Sequence, residues 1–206
     1  LEKRLPRSIM IVMMIDDYLS SYDVSAKYQA VVRAPAGHVY EAARCMDLSG
    51  SLTVRLLFRL RELPTIFQSR RSRQGLGLTL DDLLRAGFIL LGEDRPREIL
   101  LGVVGRFWAS SGCIQKLDAD GFRLFDAKGY AKAAWNFSIS ERGPGLCGLA
   151  TETRIRCLDE ESLRRFRLYW TLVGPFSGVI RKATLRAVKR QAESSRSLLQ
   201  SSEKNQ

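Results

Sequence analysis

Between Ala131 and about Glu193 the chain alternates twice at strand period and then continues as one long amphipathic helix. The strands read AKAAWNFSIS and LCGLATETRIRC, joined by a turn at Glu141–Gly145. In the first, Ala131, Ala133, Trp135, Phe137 and Ile139 share one face, and Lys132, Asn136, Ser138 and Ser140 the other. In the second, Cys147, Leu149, Thr151, Thr153, Ile155 and Cys157 are expected inside, with Glu152, Arg154 and Arg156 on a solvated face. A slip of one residue would carry charges into the core, so the pattern specifies the facing strongly.

The helix opens on Asp159-Glu160-Glu161, where negative charge complements its dipole. Leu163, Phe166, Trp170 and Val173 form an apolar stripe that Phe176, Ile180, Thr184 and Val188 extend. Arg164, Arg165, Arg181, Lys182, Arg186, Lys189 and Arg190 are assigned to the other sides. A straight helix over Asp159–Glu193 would be about 50 Å long at 1.5 Å per residue. A bend or break is therefore expected at Gly174-Pro175, and fraying beyond Glu193. A sheet face and a long helix each need an apolar partner. Holding one against the other can enclose a cavity, which directs attention to a pocket and away from any residue motif.

Upstream, Lys27–Arg33 reads as a strand with Tyr28, Ala30 and Val32 on one face. Pro35 then starts a helix, AGHVYEAARCMDL, whose stripe is Val39, Ala42, Ala43 and Met46. Asp47–Gly50 stops it. SLTVRLLFRLREL is read as a second helix, with a buried strand as the competing assignment, and QSRRSRQGLGLT as a loop. TLDDLLRAGF suggests a short helix with Asp81 and Asp82 near its start. GFILLGEDRPREILLGVVGRFW reads as two antiparallel strands turning at Glu93–Arg97, and Gly121–Lys128 as a mixed segment.

With 206 residues, 45% hydrophobic and 27% charged, the chain has the composition of one globular domain. Net charge is +11, but the basic residues are scattered and form no nucleic-acid docking module, which argues against a nucleic-acid partner. Arg70, Arg71 and Arg73 form a surface basic patch that leaves room for transient membrane contact. Cys45, Cys113, Cys147 and Cys157 lack metal-ligand spacing and suggest reduced thiols in a cytoplasmic protein. The apolar run Ile9–Ile15 is too short for a membrane span, and no small-residue cleavage site follows it.

Two stretches together resemble the START-like, or SRPBCC, superfamily of polyketide cyclase/dehydrase-like and pollen-allergen-like proteins. One is QAVVRAPAGHVYEAARCMDLS, where a strand passes through Ala34-Pro35 into Val39-Tyr40; the other is the final strand with LRRFRLYWTLVGPFSGVIRKATLRAVKR. The resemblance in layout covers roughly residues 22–193. It implies an α+β helix-grip fold, a curved antiparallel sheet wrapped around a long kinked C-terminal helix, with an apolar ligand cavity between them. On this reading residues 1–21 are an N-terminal extension, 22–193 one domain and 194–206 a flexible tail.

The candidate ligand-binding set is Trp135, Phe137, Phe166, Trp170, Val173 and Phe176 as apolar lining, with Thr151, Thr153 or Tyr169 orienting a polar atom. No catalytic residue, metal site or cofactor is assigned, and oligomeric state is left open. His38, the sole histidine, is expected at the surface of its helix. The leading expectation is binding, sequestration or transfer of a small hydrophobic molecule. The alternatives are a cyclase- or dehydratase-like enzyme in the same pocket, using Tyr28, Tyr169, Thr151, Thr153 or an inward carboxylate, and a basic surface interaction module.

Overall fold

The computed structural model describes residues 13–46, 79–109 and 113–203, with side chains described as far as 195. The Asp47–Gly50 stop, the 51–63 element and the Arg70, Arg71 and Arg73 patch lie outside these residues. In chain order the described elements are α1 (Met14–Tyr18), β1 (Val24–Val32), α2 (Ala36–Arg44), α3 (Leu80–Arg85), β2 (Ile89–Asp94), β3 (Glu98–Gly105), α4 (Ala119–Leu124), β4 (Ala131–Gly143), β5 (Leu146–Cys157) and α5 (Glu160–Glu203). The fold is α+β: a curved five-stranded antiparallel sheet in the order β1-β5-β4-β3-β2, packed against the long C-terminal helix in a helix-grip arrangement.

Local sequence explains most of these elements. β1 alternates as its residues require, with Tyr28 and Ala30 half-buried, Val32 buried and the residues between them exposed. Pro35 precedes α2, whose Val39, Tyr40, Ala42 and Ala43 are buried together with Met46. Thr79 caps α3: its Oγ1 accepts from the Asp82 amide, and the Asp82 carboxylate accepts from the Thr79 amide and hydroxyl. Asp81 and Asp82 therefore sit where helix-start residues belong. The β4–β5 turn at Gly143–Gly145 includes Gly145 at φ +66°, a conformation that favours glycine.

Asp159 is the N-cap of α5. Its Oδ1 accepts from the Ser162 amide at 2.8 Å, and its Oδ2 accepts from the Ser162 hydroxyl and the Gly129 amide. These bonds, the Ser162 hydroxyl first, lower its pKa from 3.8 to about 2. Because the folded value lies below the ordinary one, the stabilisation is present above pH 4 and is lost as pH falls from about 4 to about 2. Asp159→Ala should cost about 1 kcal/mol at pH 7. Urea midpoints of the two proteins should converge near pH 2; a difference that persists there would contradict the assignment.

α5 runs through Pro175 as one continuous helix, which excludes a break there, and it continues to Glu203, beyond the Glu193 where fraying is expected. At 44 residues it is roughly 66 Å long at 1.5 Å per residue. Pro175 removes the N–H that would reach the Thr171 carbonyl, but the helix on either side is packed against the sheet and α2, and that packing carries it across the gap. Gly174 and Gly178 matter for space: a Cβ at Gly174 would lie 3.1 Å from the Trp170 indole, and one at Gly178 would lie 2.5 Å from the Tyr28 hydroxyl.

The largest correction concerns the sheet's second face, which is covered over much of β3, β4 and β5, although Arg156 is exposed as expected and the outward residues of β1 face solvent. Lys132, Asn136, Ser138, Glu152 and Arg154 are all buried. α1 and α4 lie over them, and a separate apolar cluster of Ile15, Leu19, Leu91, Leu100, Val104 and Phe122 fills the space between. The Gly121–Lys128 segment, read as mixed, thus contains most of a helix whose Phe122 is fully buried. Lys132 donates from Nζ to the Arg123 and Phe125 carbonyls at the end of α4 (3.0 and 3.1 Å). Burial, with Arg156 nearby, depresses its pKa.

A closed polar ring holds α1 to this face. Glu98 accepts from the Met14 amide (2.7 Å) and from Asn136 Nδ2 (2.6 Å), while Asn136 Oδ1 accepts from the Glu152 amide. Arg154 then donates to Glu152 Oε1 and to Asp16 Oδ1, both at 2.7 Å.

Candidate functional site

The inner face of the sheet is divided along its length. Toward α2 it is filled: Phe137 and Ile139 pack with Val39, Tyr40, Leu149, Leu185 and Val188. Toward the start of α5 it is not. There the β4–β5 pairs Ala133–Ile155 and Trp135–Thr153 form the floor of a cavity of about 220 Å³. Phe166, Tyr169, Trp170, Val173, Ser177, Ile180 and Arg181 of α5 form its roof. Leu83 and Phe88 at the α3 end, with Val103 and Phe107 of the β3 end, close the side. The volume lies below the usual 300–1,000 Å³ of ligand pockets, and the wall is mainly apolar and aromatic.

The aromatic side chains are held by one another. Phe166 is buried at 1% exposure and stacks on Trp170 at 5.5 Å between centroids. Phe107 and Trp108 approach Phe166 edge-on at 6.4 and 6.5 Å. On the floor, Trp135 Nε1 donates to Thr151 Oγ1 (2.7 Å), which itself donates to the Asn136 carbonyl (2.8 Å). That pair orients the Trp135 indole.

Trp135, Thr153, Phe166, Tyr169, Trp170 and Val173 of the sequence-predicted set come together around the cavity. Three do not. Phe137 is committed to the core beside α2, 5.0 Å from the Trp135 ring. Thr151 is fully buried with its hydroxyl engaged, and Phe176 is 43% exposed on the outer side of α5.

Arg181 is the residue that sequence reasoning misplaced most. Assigned to the solvated side, it is buried at 8% exposure in the cavity wall. Its Nε donates to Thr153 Oγ1 at 3.0 Å, and one terminal nitrogen donates to Ser177 Oγ. Burial pushes its pKa down to about 10, partly opposed by the Tyr28 phenol, so it remains a cation at neutral pH. The 3.6 period carries the signal: from Phe166, Trp170 and Val173 it leads to 177, 181, 184 and 188. Hydrophobicity alone points instead to Phe176, which is exposed.

Among the described residues the lining holds no carboxylate, histidine or thiol. Tyr169 and Arg181 are its titratable groups, and Tyr28 lies beside α5 but outside the lining. General acid–base chemistry has few candidates there. His38 is half-buried, not at the surface as expected, with Nδ1 enclosed and unpaired, and it is not part of the cavity. No three of His, Cys, Asp and Glu among the described residues are grouped as metal ligands would be. No helix among them is long and apolar enough to cross a membrane. A second concavity, about 380 Å³, lies between Pro35-Ala36 and the β4–β5 turn. Among the described residues it is walled largely by turn residues, with the exposed Glu141 as the one charged group.

No family model matches the chain, and no curated protein matches it. Solved structures with a related chain path include TTHA0849 from Thermus thermophilus, 8% identical, with 84% of this chain and 99% of that one covered at a TM-score of 0.33. Zhui aromatase/cyclase of a Streptomyces species is 14% identical, with coverage of 82% and 93% and a TM-score of 0.29. The likeness is distant.

Proposed function

We propose that this protein binds a small, mainly apolar molecule in the cavity between the sheet and α5. The observation that carries this reading is the break in core packing: one half of the inner face is filled, while the other leaves about 220 Å³ ringed by aromatic side chains. An empty apolar space forfeits contacts and costs stability, and a bound molecule would restore them. Trp170, stacked on Phe166 and lying against Gly174, would supply the largest flat surface for such a ligand. The scarcity of acid–base groups in the described lining, which offers Tyr169 and Arg181 and no carboxylate, histidine or thiol, favours binding, sequestration or transfer over catalysis.

Gently purified full-length protein should show a reproducible small-molecule adduct in native mass spectrometry, or take up a neutral apolar probe such as aminoanthracene. Trp170→Ala should weaken that uptake about tenfold or more while keeping a cooperative urea transition. Wild-type protein that carries no adduct and takes up no probe would overturn the reading.

A further inference from the structure

Resting on the cavity reading, we infer that the ligand is an acid: a small apolar body bearing one carboxylate, which Arg181 receives. The contrast with the other buried cations leads there. Arg154 is met by two carboxylates, Glu152 and Asp16, and Lys132 by two helix-end carbonyls. Arg181 is as buried as either, yet among the described residues it has no carboxylate partner. It has two neutral hydroxyls, Thr153 and Ser177.

Buried charges are ordinarily paired, and one left against hydroxyls costs stability without an evident packing return. The two hydroxyls account for Nε and one terminal N–H, and in doing so they hold the guanidinium plane still. The remaining terminal N–H groups are the part of the fork suited to a carboxylate. The Trp170 ring centroid lies 6.0 Å from the guanidinium carbon, so a ligand with its charge on Arg181 meets aromatic surface immediately beside it. Phe166 and Phe107 continue that surface. An acid with a flat or branched apolar body therefore satisfies both features of the wall. A neutral hydrocarbon would satisfy one and leave the cation unpaired.

The test compares naphthoate with its neutral isostere naphthamide on the full chain, by calorimetric titration at pH 7. Wild type should bind naphthoate about tenfold or more tightly than naphthamide, the discrimination expected of a charged hydrogen bond. Arg181→Met should reduce naphthoate to the naphthamide level and leave naphthamide within about threefold. Its urea midpoint should be equal to or above that of wild type, since an unpaired buried charge has been removed. Equal binding of the two probes by wild type would overturn the acid proposal while leaving the cavity reading standing. Loss of both probes in equal measure in a folded Arg181→Met protein would also overturn it, making Arg181 a structural support. If wild type binds neither probe, the acid proposal fails, and the cavity reading is decided separately by the adduct and aminoanthracene measurements. Should Arg181→Met not fold, the wild-type pair alone decides.

Discussion

Phe166→Ala should lower the unfolding free energy by about 3–5 kcal/mol, the upper range for a large-to-small core substitution. Phe166 is 1% exposed and joins the start of α5 to Ala131 and Ile155 on the sheet. Phe107, Trp108, Tyr169 and Trp170 all lie against its ring at centroid distances of 5.5–6.5 Å. Two effects add. The removed ring loses its transfer free energy and its aromatic contacts, and the space it leaves opens into the existing cavity. A hole continuous with another hole has little wall left to collapse, so relaxation recovers less than usual. Domains of this size are stable by about 5–15 kcal/mol, so the variant would be marginal at 37 °C. Urea unfolding at pH 7 measures this directly. A loss below about 1 kcal/mol would show that Phe166 is not the joint between helix and sheet.

Arg154→Met is expected to cost about 3–5 kcal/mol, for a different reason. The arginine is 11% exposed at its side chain and bridges Glu152, nearly as buried, to Asp16, which is 42% exposed. Methionine fills much of the same space but leaves Glu152 with only Lys27, a 62% exposed partner at 3.3 Å. The cost is mainly that of a buried carboxylate left short of its cation, so Glu152→Gln in the same chain should recover a large part of it. Burial tends to raise the Asp16 pKa, yet the Arg154 and Met13 hydrogen bonds bring it below the usual 3.8. Its stabilisation is therefore complete above pH 4 and is lost as pH falls through the lowered value. Arg154→Met should also expose α1: limited proteolysis near Tyr18–Tyr22 should accelerate before global unfolding does. Unchanged cleavage there, with unchanged stability, would mean that the polar ring does not hold α1 in place.

What was legible in the sequence was legible where one surface repeats at a fixed period. β1, β4 and β5 have their inner faces where alternation placed them, and a capping pair starts α3 as Thr79 and Asp82 suggest. The hairpin across Pro96 and the acidic start of α5 follow from local chemistry in the same way. The outer face was not legible from β4 and β5, because Asn136, Glu152 and Arg154 are polar whether water or a second layer meets them. β3 held the missing clue. EILLGVVG is apolar on both parities and buried at every position, which requires cover on both sides.

The candidate site divides the same way. By itself the sequence determined that Trp135, Thr153, Phe166, Trp170 and Val173 face inward, since strand and helix periods are properties of the backbone. Only the tertiary structure decided which inward residues surround space and which are packed solid. Phe137 and Trp135 share a face, yet α2 fills the region over one and leaves the other open. Tertiary structure likewise decided that Arg181, polar in composition but on the buried line by period, is enclosed against Thr153 and Ser177. Burial depends on what the rest of the chain brings to that point, and a local pattern carries no record of it.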